Sequence, residues 1–218
     1  KFVSKKYCKM LNRLTIEDRW NIYTHSFGAI ISFISIVCFI TYYNINSYKT
    51  FLGFLIYGFS LIFLFITSSI YHSQIGERKI KWQKIDHIGI YYLIAGTYTP
   101  VCLTVLYESS GIIILLTIWA LAIIGTIYKL LYINKYINFS LFLYLFMGWL
   151  IIIDFNNVYS LLSKELLFYL ILGGLFYSFG TIFYKWESLY FNHVIWHIFV
   201  LLGAASHFVF TIKLIIAH

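Results

Sequence analysis

The chain has 218 residues, of which 61% are hydrophobic, 22% aromatic and only 11% charged, with a formal net charge of +8. A soluble domain carries roughly 25% charged residues, so the composition excludes a water-soluble globular protein and indicates an integral membrane protein. One Pro and 13 Gly argue against a disordered or loop-rich chain, and a chain that is nearly all membrane offers little for nucleic acid to bind.

A membrane-crossing helix needs about 20 mostly apolar residues. Seven stretches qualify in chain order: 22–43, 50–71, 86–106, 111–131, 136–153, 165–184 and 192–217. Their continuous apolar runs lack the alternation of a lipid-embedded barrel, so helices are expected. Ahead of the first lies a basic juxtamembrane segment, residues 1–21, beginning "KFVSKKYCKMLNR". Its expected role is to set topology and attract anionic lipid.

The first span opens with His25 in "WNIYTHSFG", and the second closes on Ser68 and His72 in "SSIYHS". The longest connection, "HSQIGERKIKWQK", follows. The third span opens at Asp86 in "KIDHIGIYYLIAGTYTP", where Pro100, the single proline, should free the carbonyl of Gly96 and kink the helix. The fourth to sixth spans carry few polar residues. The seventh, "NHVIWHIFVLLGAASHFVF", places His193, His197 and His207 in an apolar run. Trp20, Trp82, Trp149 and Trp186 fall near span ends and are read as aromatic belts. Cys38 and Cys102 are read as inert packing and, with Cys8, make no disulfide framework. The fold class is an all-α, seven-transmembrane helix bundle over residues 22–217.

Seven spans put the termini on opposite sides. Thirteen basic residues fall on the N-terminal side, against Lys49, Lys164 and Lys213 on the other. The positive-inside rule makes the N-terminus cytosolic and the C-terminus outside or lumenal. G-protein-coupled receptors have the opposite orientation.

With this orientation His72, Asp86, His193 and His197 lie at similar depth near the cytosolic face, although they come from three helices. A lone histidine near an interface is ordinarily packing or a hydrogen bond to a neighbour. Here His193 and His197 are spaced i, i+4 and share a helix face. Zinc takes three neutral imidazoles and leaves a fourth position for water. His72 is the natural third ligand. Asp86 would hold or deprotonate the water, and Ser68, four residues before His72, would orient that ring or hold a substrate oxygen. Ionisable residues within membranes are functional candidates. His207 lies about 15 Å farther along its helix than His197, too far to share the metal. It is expected to hydrogen-bond within the bundle or to line a cavity. No spacing ties His25 to the others, and His87 is read as interfacial.

The motifs "EDRWNIYTHSFGA", "SSIYHS", "DHIGIYYLIAGTYTP" and "NHVIWHIFVLLGAASHF" resemble those of the hemolysin III family, which sits with the adiponectin and progestin receptors in a seven-span superfamily. The resemblance runs from Glu17 to Phe208. It implies an N-terminus inside and a zinc site whose ligands match His72, His193 and His197, with Asp86 near the bound water and Ser68 in the S-x-x-x-H pattern. Because the superfamily is linked to alkaline ceramidases, it also implies a zinc-dependent membrane hydrolase of lipid amides or esters. Two other expectations come with the resemblance: a membrane-permeabilising, haemolytic protein, and a receptor-like regulator of lipids in which zinc is structural.

Overall fold

The computed structural model describes residues 14–217 apart from 44, 46, 134 and 136, so most of the basic segment, Cys8 included, lies outside the described residues. The described chain is helical, without a strand. Its helices are α1 (Ile16–Tyr42), α2 (Tyr48–Ser73), α3 (Gly76–Leu103), α4 (Gly111–Tyr132), α5 (Ile137–Gly148), α6 (Phe155–Leu161), α7 (Lys164–Lys185) and α8 (Asn192–Ala217). A 3₁₀ turn, Leu150–Asp154, joins α5 to α6 into one interrupted column. Among the described residues the bundle thus has seven helical columns. Six of them are long and apolar enough to cross a membrane: α1, α2, α4, Asn138–Leu161, α7 and α8.

The seventh column, α3, is the exception. Its first turns read GERKIKWQK, and its remainder carries Asp86 and several Tyr and Thr. Those polar residues face inward: Asp86, Tyr91, Thr97, Tyr98 and Thr99 are all buried. α3 packs against α2, α4, α5 and α8, which surround it with their own apolar surface. The polarity of α1 is likewise reversed relative to a soluble helix. Asp18, Asn21, His25, Gly28 and Ser32 recur at three- and four-residue spacing on its buried face. Phe27, Ile30, Phe33 and Ile34 point outward and are exposed. A helix in lipid has this arrangement, because hydrocarbon solvates the apolar face and the protein must satisfy the polar one.

Three boundaries differ from the sequence expectation. The stretch taken as the longest connection is mostly helix: α3 starts at Gly76, whose φ of 58° lies in the left-handed region that glycine tolerates. Only Gln74 and Ile75 separate α2 from α3. α1 starts at Ile16 and takes up the end of the supposed juxtamembrane segment. The cause is a reciprocal cap: the Asp18 N–H donates to Thr15 Oγ1 at 2.9 Å, and the Thr15 N–H donates to Asp18 Oδ2 at 3.2 Å. The fifth span is broken rather than continuous. The Tyr98 hydroxyl caps the break by donating toward the carbonyls of Met147 (2.8 Å) and Gly148 (3.0 Å) and accepting from the Ile151 N–H (3.0 Å). Irregular backbone at membrane depth persists only where protein groups satisfy it in this way.

Two smaller expectations also change. Cys102 is buried, but Cys38 is exposed, on the outward side of α1; both are free thiols. Trp20 and Trp186 are exposed near helix ends, whereas Trp149 turns inward and donates its Nε1–H to Ser178 Oγ at 2.9 Å. Pro100 lies inside α3, which continues to Leu103.

Gly111 opens α4 in a space closed by backbone. A Cβ there would lie 2.4 Å from the Cys102 carbonyl oxygen and 2.5 Å from that of Leu106. Gly111→Ala is therefore expected to destabilise the bundle by about 1–3 kcal/mol, the usual cost of overpacking. A lowered unfolding midpoint in neutral detergent would register it.

Candidate metal centre

Three helix ends meet at one end of the bundle. His72 lies in the last turn of α2, and His193 and His197 occupy the first two turns of α8. The first turns of α1 bring Asp18, Asn21, Thr24 and His25 against them. The rings of His72 and His193 are 5.0 Å apart between centroids, those of His72 and His197 5.0 Å, and those of His193 and His197 4.7 Å. Each residue offers a ligand nitrogen within 4.8 Å of the other two, so the trio could hold a metal ion. His72 and His197 are nearly inaccessible, at 3% and 2% exposure.

The surrounding hydrogen bonds assign ring nitrogens. Asp18 Oδ1 lies 3.3 Å from His72 Nδ1. A carboxylate only accepts, so Nδ1 carries the proton and leaves Nε2 with a free lone pair. His72 Nε2 is buried and has no partner among the described residues. The Thr24 hydroxyl donates to the Asn21 carbonyl at 3.0 Å, so its oxygen accepts from His197 Nδ1 at 3.3 Å. His197 Nε2 is thereby left as the free nitrogen. A carboxylate or hydroxyl behind the imidazole, with the opposite nitrogen bare, is the usual setting of a metal-ligating histidine. The Lys79 ammonium holds Asp18 Oδ1 from its other side at 2.7 Å. The His193 backbone N–H donates to Glu17 Oε1 at 3.3 Å, placing an acid at the start of α8, where the helix dipole favours it.

Asp86 and Ser68 are buried, at 7% and 0% exposure. Both line a cavity of about 110 Å³ together with His25, His193 and His197. Ser68 Oγ lies beside the Asp86 carboxyl but makes no close hydrogen bond among the described residues. Ser68 lines the cavity, and the hydrogen bond to the His72 ring comes from Asp18. His87, expected at the interface, also lines this cavity, because α3 extends beyond it and keeps it inside. His25 is brought in by the fold rather than by spacing: its ring stacks on His197 at 3.6 Å and 13°. It is not part of the trio whose nitrogens converge. His207 lines the far part of the cavity, and its Nε2 donates to the Leu170 carbonyl at 3.0 Å. Gly173 leaves room for that ring, since a Cβ there would lie 2.2 Å from His207 Cδ2.

Asp18 and Thr24 were missed in the sequence. Asp18 reads as an ordinary helix-start acid in T-x-x-D, and one of its oxygens does serve the cap. The available signal was the inward 3/4 spacing that Asp18 shares with Asn21 and His25.

Residues 14–208 match the family described as Haemolysin-III related. Over 195 residues the chain is 41% identical to the Hemolysin-3 homolog of Bacillus subtilis (strain 168), covering 88% of this chain and 91% of that protein. It is 40% identical to Hemolysin-3 of Bacillus cereus, covering 88% and 89%. A more distant similarity, 34% over 163 residues, reaches the human Monocyte to macrophage differentiation factor, covering 70% of this chain and 66% of that one. With an all-helical bundle whose columns are mostly apolar enough to span a bilayer, this chain belongs to the haemolysin III family and is an integral, multi-pass membrane protein.

Proposed function

We propose that the protein is a zinc-dependent hydrolase of lipid amides or esters, working at the cytosolic end of a seven-span bundle whose N-terminus is inside. The observation that carries this reading is the convergence of His72, His193 and His197 beside a cavity lined by Asp86 and Ser68. Three converging imidazoles, two of them buried and with Nε2 of His72 and of His197 left as the unprotonated nitrogen, fit the donor set of a catalytic zinc site. A zinc ion held there supplies Lewis acidity, acidifying water and polarising an acyl carbonyl.

The protein's own groups divide the remaining tasks. Asp86, buried and facing the cavity, accepts the proton of the attacking water as general base. Ser68 Oγ, beside Asp86 on the cavity wall, holds a substrate oxygen. Asp18 and Thr24 fix the ring orientations of His72 and His197. Leu64, Ile90, Leu93, Ile94 and Val200, also on the cavity wall, are apolar and take acyl chain while limiting water. Asp18→Asn keeps the backbone half of the cap, the Asp18 N–H bond to Thr15 Oγ1, but removes the charge behind His72, and should weaken zinc binding about 10–100-fold, as read by chelator competition.

The name of the Bacillus cereus relative, Hemolysin-3, supports a second reading, a protein that permeabilises membranes. Release of dye from vesicles, measured beside lipid hydrolysis for wild type and His197→Ala, separates the two. Joint loss of leakage and hydrolysis favours the enzyme. Leakage that survives without hydrolysis favours a pore.

A further inference from the structure

The cavity has an unexplained cation. Lys129, in the last two turns of α4, is 2% exposed and lines the cavity. It lies on the inward face of α4 that runs through Ile114, Ile118, Ala122 and Gly125. An ammonium withdrawn from water is costly unless it is paired. The half-buried lysines obey this rule. Lys79 pairs with Asp18 at 2.7 Å, Lys213 pairs with Glu165 at 2.8 Å, and Lys84 donates to the Leu130 carbonyl at 3.1 Å. Lys129 is buried more deeply than any of these, yet it has neither a hydrogen-bond acceptor nor a carboxylate partner among the described residues.

Two further polar groups on the cavity wall are also left over. His87 Nδ1 is buried without a hydrogen-bond partner among the described residues, and Ser140 Oγ, beside the Tyr91 hydroxyl, makes no close hydrogen bond there. Both line the cavity that Lys129 lines. Asp86 lines the same cavity, so these polar groups and the reactive end share one space. Trp149, Gly174, Tyr177 and His207 line the part of the cavity toward the opposite end of the bundle.

We infer that Lys129, with Ser140 and His87, is an anion-binding subsite for the phosphate or carboxylate of an anionic lipid. The ammonium receives the anion, and the hydroxyl and imidazole complete its hydrogen bonds. The scissile carbonyl then reaches Asp86 and the histidine trio, and the chain runs toward Trp149 and Tyr177. The substrate class narrows accordingly from lipids in general to those with a negative headgroup or a free acid. This inference rests on reading the cavity as the place where lipid is held, but it does not require turnover. Failure of hydrolysis is therefore distinguishable from failure of the subsite.

The test is thermal unfolding of the full chain in neutral maltoside with octyl phosphate, octanoate or octanol at equal concentration. At saturation, at least one of the two anions raises the wild-type midpoint by about 3–8 °C, and octanol leaves it unmoved. The larger of the two anionic shifts identifies phosphate or carboxylate. Lys129→Met abolishes the anion-specific shift, Lys129→Arg keeps it, and Ser140→Ala reduces it. A wild-type protein that responds equally to octanol, or to none of the three, overturns the inference even if Lys129→Met fails to fold. A shift that persists in Lys129→Met, from an anion on the metal or elsewhere, overturns it as well.

Discussion

Asp86→Asn should lower lipid hydrolysis by about 10²–10⁴-fold while leaving the zinc content unchanged. The magnitude is that of a general base removed from its transition state. The expected independence from zinc binding follows from the geometry: the nitrogens that converge are those of His72, His193 and His197, and Asp86 stands outside that group on the cavity wall. Asparagine keeps the size and most of the hydrogen bonding of the buried side chain, so folding is expected to survive. Rates should be measured on zinc-loaded protein in a bilayer mimic, alongside metal analysis of the same sample. Wild-type turnover in the variant would instead mean that Asp86 is a structural polar group and that any metal here serves stability alone.

His197→Ala should act on metal first and chemistry second. The substitution removes one of three converging nitrogens, a ring stacked on His25 at 3.6 Å, and the acceptor relay through Thr24 and Asn21. Zinc content should fall from about one equivalent to below about a tenth, since three protein ligands are the working minimum of such sites. A ligand that binds only the folded state raises its stability by mass action. Chelation should therefore lower the wild-type unfolding midpoint by about 5 °C or more, and the variant should show no response to chelator. A variant that retains a full equivalent of zinc would remove His197 from the site.

The parts of this site that were legible in the sequence share a physical property: they are written in local spacing. His193 and His197 declare a common face because i and i+4 stack on a helix. His72 and Asp86 could be placed at the same depth because apolar run lengths and the basic residues fix where a helix meets the membrane surface. The stacking of His25 on His197 has no local signature, because it depends on how α1 packs against α8. Asp18 was hidden for a different reason. Its cap and its bond to His72 use different oxygens of one carboxylate, and only the cap leaves a mark in the local pattern.

The fold shows the same division. Six columns read directly from hydropathy. The stretch 86–106 reads as a span like the others, but α3 as a whole is not apolar enough to be one by length and composition, and its polar groups face inward against its neighbours. The break after Gly148 was invisible for a related reason. Nothing near it is a proline, and the hydroxyl that caps it belongs to Tyr98, roughly fifty residues away. The buried Lys129 sits in an apolar stretch near a span end, where sequence alone assigns it to the basic collar of the membrane; its burial places it inside instead.

The most direct test of the central claim is release of fatty acid by the purified, zinc-loaded full chain in lipid nanodiscs, across ceramide-like and phospholipid substrates. Fatty acid should appear with at least one of these lipids, stop on chelation and resume on return of zinc. One equivalent of bound zinc with no turnover on any substrate of the panel would contradict the account.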